Sequence, residues 1–303
     1  MDFRLTGLVA AAFTPMKPDG TLNLDQVGPL VDRAVDNGLS GLYVCGSTGE
    51  GASMTGGERQ QTAAAYVAAA AGRLKIVVQV GHDSLATARE LAAHARQIGA
   101  DAISAVSPYY FKPVSAEILA DCLAEITSAA PELPFYYYHV PVLTGVEIDP
   151  VEVLEAAGRR IPTLVGAKFT AYSIHEIQTM AALDGGRFNI LHGRDEMLLS
   201  ALAIGVRGAI GSTYNFAAPL YREIISAFEN GNMAEAQRWQ GRAVEMIRTI
   251  LGIAGFPGLK ATMNLVGPDC GPVRLPLATC SDEQIAWLQS GLEAIGFFEW
   301  SQG

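Results

Sequence analysis

The sequence predicts an α/β chain folded as a (β/α)8 TIM barrel with extra C-terminal helices, and three observations carry that prediction. Eight short apolar runs recur along the first two-thirds of the chain. Their starts lie about 20 to 36 residues apart, which suits a βα unit with a short loop at each end. Most of these runs are continuous rather than alternating, as parallel strands buried on both faces require. Between them lie stretches with apolar residues at helical spacing. Eight strand–helix repeats favour closure into a barrel, because parallel connections cross right-handedly. A doubly wound sheet is the other solution, but no GxGxxG turn follows the first run.

In chain order, the candidate strands are residues 5–13, 39–44, 75–80, 102–106, 135–139, 164–169, 188–192 and 208–211. The first connecting helix is expected over 24–37. There Leu24, Val27, Leu30, Val31, Ala34 and Val35 form one apolar face, and Gly38 supplies a stop. Ser84 can cap a helix that runs through Gln97, with Glu90 and His94 on one side of it. Ser115 with Glu117 opens the next helix, and Ser173 opens another containing Ile174, Ile177 and Met180. After the last strand, 217–230 supplies the eighth barrel helix, and further helical stretches follow at 233–250, 257–266 and 281–295. The Pro- and Gly-rich segment 266–276 joins the last two as a loop. The expected organisation is a barrel over 1–230 and a helical extension over 231–303, packed on the barrel or on a partner subunit.

A chain of 303 residues that is 50% hydrophobic can bury a core of this size as one unit. Its formal net charge of −10 argues against nucleic acid as a partner, since phosphate neutralisation needs clustered Lys and Arg. A small anionic substrate is not excluded, because hydroxyls and backbone N–H groups can bind a carboxylate locally. No apolar stretch reaches the roughly 18 residues of a membrane span. Met1 to Leu5 show no basic region followed by an apolar one, so the expectation is a soluble, cytoplasmic protein with no membrane partner. Cys45, Cys122, Cys270 and Cys280 form no CxxC pair, and the histidines show no HExxH spacing. Idle thiols in a reducing compartment are expected, with no metal site.

Position along a barrel strand is informative, because the C-terminal ends of the strands line the active face. Lys168 falls near the end of the sixth strand, in Leu164-Val165-Gly166-Ala167-Lys168-Phe169. Burial disfavours an ammonium there, and a neutral amine is the form that attacks a ketone. Position alone serves equally a catalytic amine, a lysine paired with a carboxylate, or one that reaches the rim. Gly46-Ser47-Thr48-Gly49-Glu50-Gly51 follows the second strand directly. Its glycines permit a tight turn, while Ser47 and Thr48 offer two hydroxyls and two N–H groups to a carboxylate. A plain Gly-rich βα turn would read the same way. On the fifth strand, Phe135-Tyr136-Tyr137-Tyr138-His139, alternation puts Tyr136 and Tyr138 on one face. Tyr138 could carry a proton over the substrate, although tyrosines in strands more often pack a core.

Together these elements resemble a specific family. The GSTGE turn, the Tyr-His-Val-Pro element from Tyr138, the Gly-Ala-Lys strand and Gly211-Ser212-Thr213-Tyr214-Asn215 are similar to the pyruvate-dependent lyases. That family includes N-acetylneuraminate lyase and dihydrodipicolinate synthase, and the likeness runs from Gly7 through the C-terminal helices. It implies an imine between Lys168 and the substrate's C2 ketone, with Ser47 and Thr48 on the adjacent carboxylate and Tyr138 as proton shuttle. Tyr110, in Ser107-Pro108-Tyr109-Tyr110, matches a tyrosine that crosses a dimer interface in relatives. The resemblance also implies a homotetramer, built as a dimer of dimers, and no dissociable cofactor.

Substrate choice rests on differences between subfamilies. Dihydrodipicolinate synthases carry an arginine shortly after the Tyr-x-x-Pro element, where Leu143 stands here and cannot make a charged bidentate contact. His192-Gly193-Arg194-Asp195-Glu196 matches the Gly-x-Asp-Glu element that holds a polyol tail through a backbone carbonyl and two carboxylates. Charge complementing a helix N-terminus is the plain alternative for that pair. Thr170 and Ser212 match further sugar-contacting positions. The resemblance thus implies reversible cleavage of N-acetylneuraminate to pyruvate and N-acetylmannosamine. Dihydrodipicolinate synthesis, or cleavage of another 2-keto-3-deoxy sugar acid, is the alternative enzyme reading. A non-catalytic sugar-acid-binding barrel is the alternative outside catalysis.

Overall fold

The computed structural model describes residues 3–301. Eight parallel strands form where the apolar runs predict them: β1 (Gly7–Ala11), β2 (Gly41–Val44), β3 (Lys75–Gln79), β4 (Ala102–Val106), β5 (Phe135–His139), β6 (Leu164–Phe169), β7 (Asn189–His192) and β8 (Gly208–Gly211). Each pairs with its sequence neighbours, and β8 returns to β1, which closes the barrel. Register sets Lys168 beside Tyr138 on one side and Leu191 on the other. Alternation along each strand separates two apolar layers. Val9, Tyr43, Val77, Tyr136, Leu191 and Ile210 belong to the smaller, inner cluster. Their neighbours Ala10, Leu42, Val78, Tyr137, Ile190 and Ala209 belong to the larger cluster shared with the helices.

The helices between the strands are α1 (Val27–Asp36), α2 (Gly56–Ala70), α3 (Leu85–Gln97), α4 (Ala116–Thr127), α5 (Pro141–Thr144), α6 (Pro150–Gly158), α7 (Ile174–Ala182) and α8 (Leu198–Ala203). Ser84 and Ser115 accept the N–H groups of Thr87 and Ile118, so both cap as expected. Ser173 precedes α7 but makes no side-chain cap bond. The first expected helix starts later than 24, because Leu24–Gln26 form a tighter 3-10 turn. The one-turn α5 escapes a periodicity argument, since four residues cannot show a helical repeat.

After β8 come α9 (Tyr214–Glu229), α10 (Met233–Ala254), α11 (Pro257–Val266), α12 (Asp282–Ala294) and α13 (Phe297–Trp300). α9 starts before the expected 217. Ala217 departs from helical geometry (φ −134°, ψ 23°) two residues before Pro219, whose ring and missing N–H disturb the preceding turn. α10 buries Ala243, Met246, Ile247 and Ile250 against the outer core. Each larger side chain so buried contributes about 1.5–3 kcal/mol. α10 packs on α9 and α12, and α11 turns back toward the barrel mouth. Segment 266–276 forms no helix or strand past Val266, and Ser281 opens α12 with a reciprocal capping box to Gln284.

Candidate active site

Lys168 lines a cleft of about 820 Å³ at the C-terminal face of the barrel, the end where loops rather than helices frame a ligand. The residue is only 4% exposed, yet it has no ion-pair partner among the described residues. Its Nζ lies 4.1 Å from the Tyr43 ring centre and 4.2 Å from that of Tyr138. The two rings meet edge to face, 5.6 Å apart. They fix the direction of the side chain without offering the nitrogen a hydrogen-bond acceptor, so the amine stays open to a substrate carbonyl. Neither an ion pair nor an escape to the rim explains this lysine. Tyr43 hydrogen-bonds Ser104 Oγ at 3.1 Å, and burial pushes its phenol well above the usual tyrosine value.

The 46–51 turn stands above Lys168 at the end of β2. Glu50 N–H donates to the Ser47 carbonyl, and Gly51 N–H to that of Gly46, both at 3.0 Å. Thr14 Oγ1 donates to the Gly49 carbonyl at 2.6 Å. Position 51 requires glycine, since a Cβ would overlap the Cys45 carbonyl. The N–H groups of Ser47 and Thr48 donate to nothing among the described residues, so the turn presents two backbone donors beside two hydroxyls. Ser47 Oγ lies 3.5 Å from Tyr138 Oη, and Thr48 Oγ1 lies 2.6 Å from Ser212 Oγ. Ser212 is thus brought against the turn as well as onto the cleft wall.

The opposite wall holds Thr170, Gly193, Arg194, Asp195 and Glu196. Thr170 Oγ1 is buried without a partner among the described residues. Asp195 and Glu196 stand in the first turn of a helical segment, and Asp195 also binds the residue that precedes α9. Its Oδ2 accepts Thr213 N–H at 2.9 Å and Thr213 Oγ1 at 2.6 Å. Gly211 must lack a side chain, because a Cβ there would overlap this carboxylate. Burial raises the Asp195 pKa to about 6, against the pull of Thr213 and with Glu196 adding to the rise. Arg194 lies flat on the Tyr172 ring, 4.1 Å from its centre, and approaches Glu196 at 3.8 Å.

Tyr110 is the one expected site residue that this chain does not bring to the cleft. It is 78% exposed, and its N–H donates to Asp83 Oδ1 at 2.9 Å. His139 faces away from Lys168. It stacks on Phe169 and meets Tyr137 Oη at 3.2 Å, and burial lowers its pKa to about 4. A larger cavity of about 1250 Å³ adjoins the cleft through Ser47, Val140 and Leu143. Arg59 in its wall is held by the carbonyls of Gly81 and Gln79 at 3.0 and 2.5 Å, so that cation serves the fold.

Residues 4–295 match the dihydrodipicolinate synthetase family. The chain belongs to that family. The N-acetylneuraminate lyase of Danio rerio is 39% identical over 91% of this chain and 92% of its own length. The solved N-acetylneuraminate lyase of Proteus mirabilis superposes with a TM-score of 0.95 at 35% identity, covering 97% of this chain and all of that one (100%). A Ruminococcus gnavus sialic acid aldolase, a catalytic lysine mutant, superposes with a TM-score of 0.91 at 27% identity, over 98% of this chain and 99% of its own.

Family resemblance and strand position did not point to several residues of the site. Tyr43 ends an ordinary apolar strand, and only its alternation with Leu42 and Val44 hints that it faces inward. Ile247, Leu251, Phe256 and Leu259 line the cleft from α10, α11 and their junction, so the extension closes the site rather than only packing beside it. Gln240 of α10 donates to the Asp195 carbonyl at 3.3 Å and accepts Leu199 N–H at 2.8 Å. No local pattern marks such long-range contacts.

Proposed function

We propose that this chain is an N-acetylneuraminate lyase, cleaving the sugar acid reversibly through an imine on Lys168. The observation that carries the proposal is the buried, unpaired Lys168 amine at the floor of a cleft with a carboxylate-sized donor turn above it. The names of the relatives, and the catalytic lysine of the Ruminococcus gnavus aldolase, support it.

In this reading the open-chain substrate places its C1 carboxylate on the N–H and hydroxyl groups of Ser47 and Thr48. The neutral Lys168 amine adds to the C2 ketone, and the departing hydroxyl leaves as water with a proton from Tyr138, giving a protonated imine and a tyrosinate. Tyr138 takes the C4 hydroxyl proton, directly or through the substrate carboxylate. The C3–C4 bond then breaks, and its electron pair flows into the imine to give an enamine. C4 leaves as the aldehyde of N-acetylmannosamine. Tyr138 returns the proton to C3, and water hydrolyses the imine to free pyruvate and the amine. Asp195, Glu196, the Gly193 carbonyl, Thr170 and Ser212 hold the polyol tail.

Leu143 lies exposed at the cleft, where a dihydrodipicolinate synthase would need a cation for its second carboxylate. The proposal extends to a cytoplasmic homotetramer in which Tyr110 reaches a partner's site. The exposed apolar group Tyr110, Phe111 and Val114 supports a subunit contact there. The residues are read as a barrel over 1–230 and an extension over 231–303. The test is turnover. Pyruvate release from N-acetylneuraminate, with no condensation of pyruvate and aspartate semialdehyde, is expected. The reverse preference contradicts the proposal.

A further inference from the structure

The turn that faces Lys168 is fastened from outside the barrel. Lys260 of α11 and Glu50 of the turn form an ion pair at 2.7 Å, with side chains only 3% and 1% exposed. Glu50 is also one of two non-glycine residues around the turn in the left-handed region, at φ 55°, with Cys45 at 60°. Such a conformation is unfavourable for a side-chain-bearing residue and persists only where the surroundings hold it. Three contacts hold Glu50. Its Oε1 accepts Lys260 Nζ, its Oε2 accepts Arg274 N–H at 2.7 Å, and its own N–H closes on Ser47. Lys260 is itself fixed by donating to the Pro272 carbonyl at 2.7 Å. Arg274 continues outward to Glu58 at 2.9 Å and to the Gly20 carbonyl at 2.8 Å.

We infer that Lys260 is a positioning residue for substrate-carboxylate binding: through Glu50 it holds the left-handed backbone that aims the N–H groups of Ser47 and Thr48 into the cleft. This rests on the function proposed above and adds a determinant from the helical extension. The direction of a backbone N–H follows the neighbouring φ and ψ, and the Glu50 N–H to Ser47 bond links the strained residue to the donors. A buried carboxylate that loses its cation must take up a proton or leave its site. Either outcome removes the Lys260 hold on Glu50, and the left-handed turn loses one of the three contacts that fix it. Lys260 does not line the cleft itself, and its link to the donors runs through Glu50.

The test is steady-state condensation of pyruvate with N-acetylmannosamine by Lys260→Met and, separately, Glu50→Gln. The second change keeps the side-chain volume and an acceptor for Arg274 N–H, and so serves if the first folds poorly. The expected result is a KM for pyruvate raised about tenfold, while the KM for N-acetylmannosamine stays within twofold and kcat falls less than the pyruvate KM rises. A purely structural role would lower the melting temperature and the active fraction and leave the pyruvate KM alone. That outcome, in either folded variant, overturns the inference. Wild-type protein that forms no borohydride-stable adduct with pyruvate overturns the functional reading and this inference together. Wild-type protein that traps pyruvate, with variants of unchanged pyruvate KM, overturns this inference alone.

Discussion

The two ends of the cleft are built in opposite ways. Around the 46–51 turn, donors dominate: two backbone N–H groups without partners and the hydroxyls of Ser47 and Thr48. That end is held by strained backbone at Cys45 and Glu50 and by a buried ion pair from α11. Around 193–196, acceptors dominate, in Asp195 and Glu196, and the support is hydrogen bonds rather than an ion pair. Gln240 makes a 3.3 Å contact to the Asp195 carbonyl, and Asp195 bonds neutral Thr213. The lesson is a division of labour. A small anion of fixed shape suits a cradle of donors, while a chain of hydroxyls suits a wall of acceptors. Lys168 and Tyr138 lie at the donor end, so chemistry and sugar choice can be disturbed separately.

The largest effect should come from Lys168→Met, which removes the nucleophile. Activity is expected to fall by about four orders of magnitude or more in a stopped assay of pyruvate release, with folding retained on an apolar replacement. Tyr138→Phe keeps the ring that packs on Lys168 and Tyr43 and deletes only the proton carrier. A fall in kcat of about a thousandfold, with little change in pyruvate KM, would place Tyr138 in chemistry rather than in binding.

The acceptor end gives smaller effects. The folded-state pKa of Asp195 is raised from 3.8 to about 6 by burial. Its stabilising contribution is therefore fully present below 3.8 and lost as pH rises through about 6. Asparagine does not titrate, so melting curves of Asp195→Asn should gain on wild type by about 3 kcal/mol between pH 3.5 and 7.5. A gap that narrows in the other direction contradicts the burial argument. Glu196→Gln should raise the KM for N-acetylneuraminate about tenfold, the size of one charge-assisted hydrogen bond, and leave the pyruvate KM of the reverse reaction unchanged. A rise in both would mean the two ends are coupled.

The donor end was largely legible in the sequence because its chemistry is local. Ser47 and Thr48 adjoin in one Gly-rich turn, and Lys168 and Tyr138 each sit near a strand end where a barrel exposes side chains. The apolar runs located all eight strands, since continuous runs translate directly into buried parallel strands. What holds those residues was not legible. Lys260 lies 210 residues from Glu50, and neither residue type nor spacing joins them. Gln240 sits in a helix and Phe256 at the junction of two, in stretches that read as packing, and only the fold brings one to Asp195 and the other onto the cleft. The short α5 and α13, of four residues each, fall below the length at which periodicity carries a signal.

The most direct measurement is to incubate the protein with pyruvate and borohydride and locate the adduct by peptide mass. An imine at the donor end predicts a single stable adduct on the peptide containing Lys168, absent from Lys168→Met. No adduct, or one on another lysine, contradicts it.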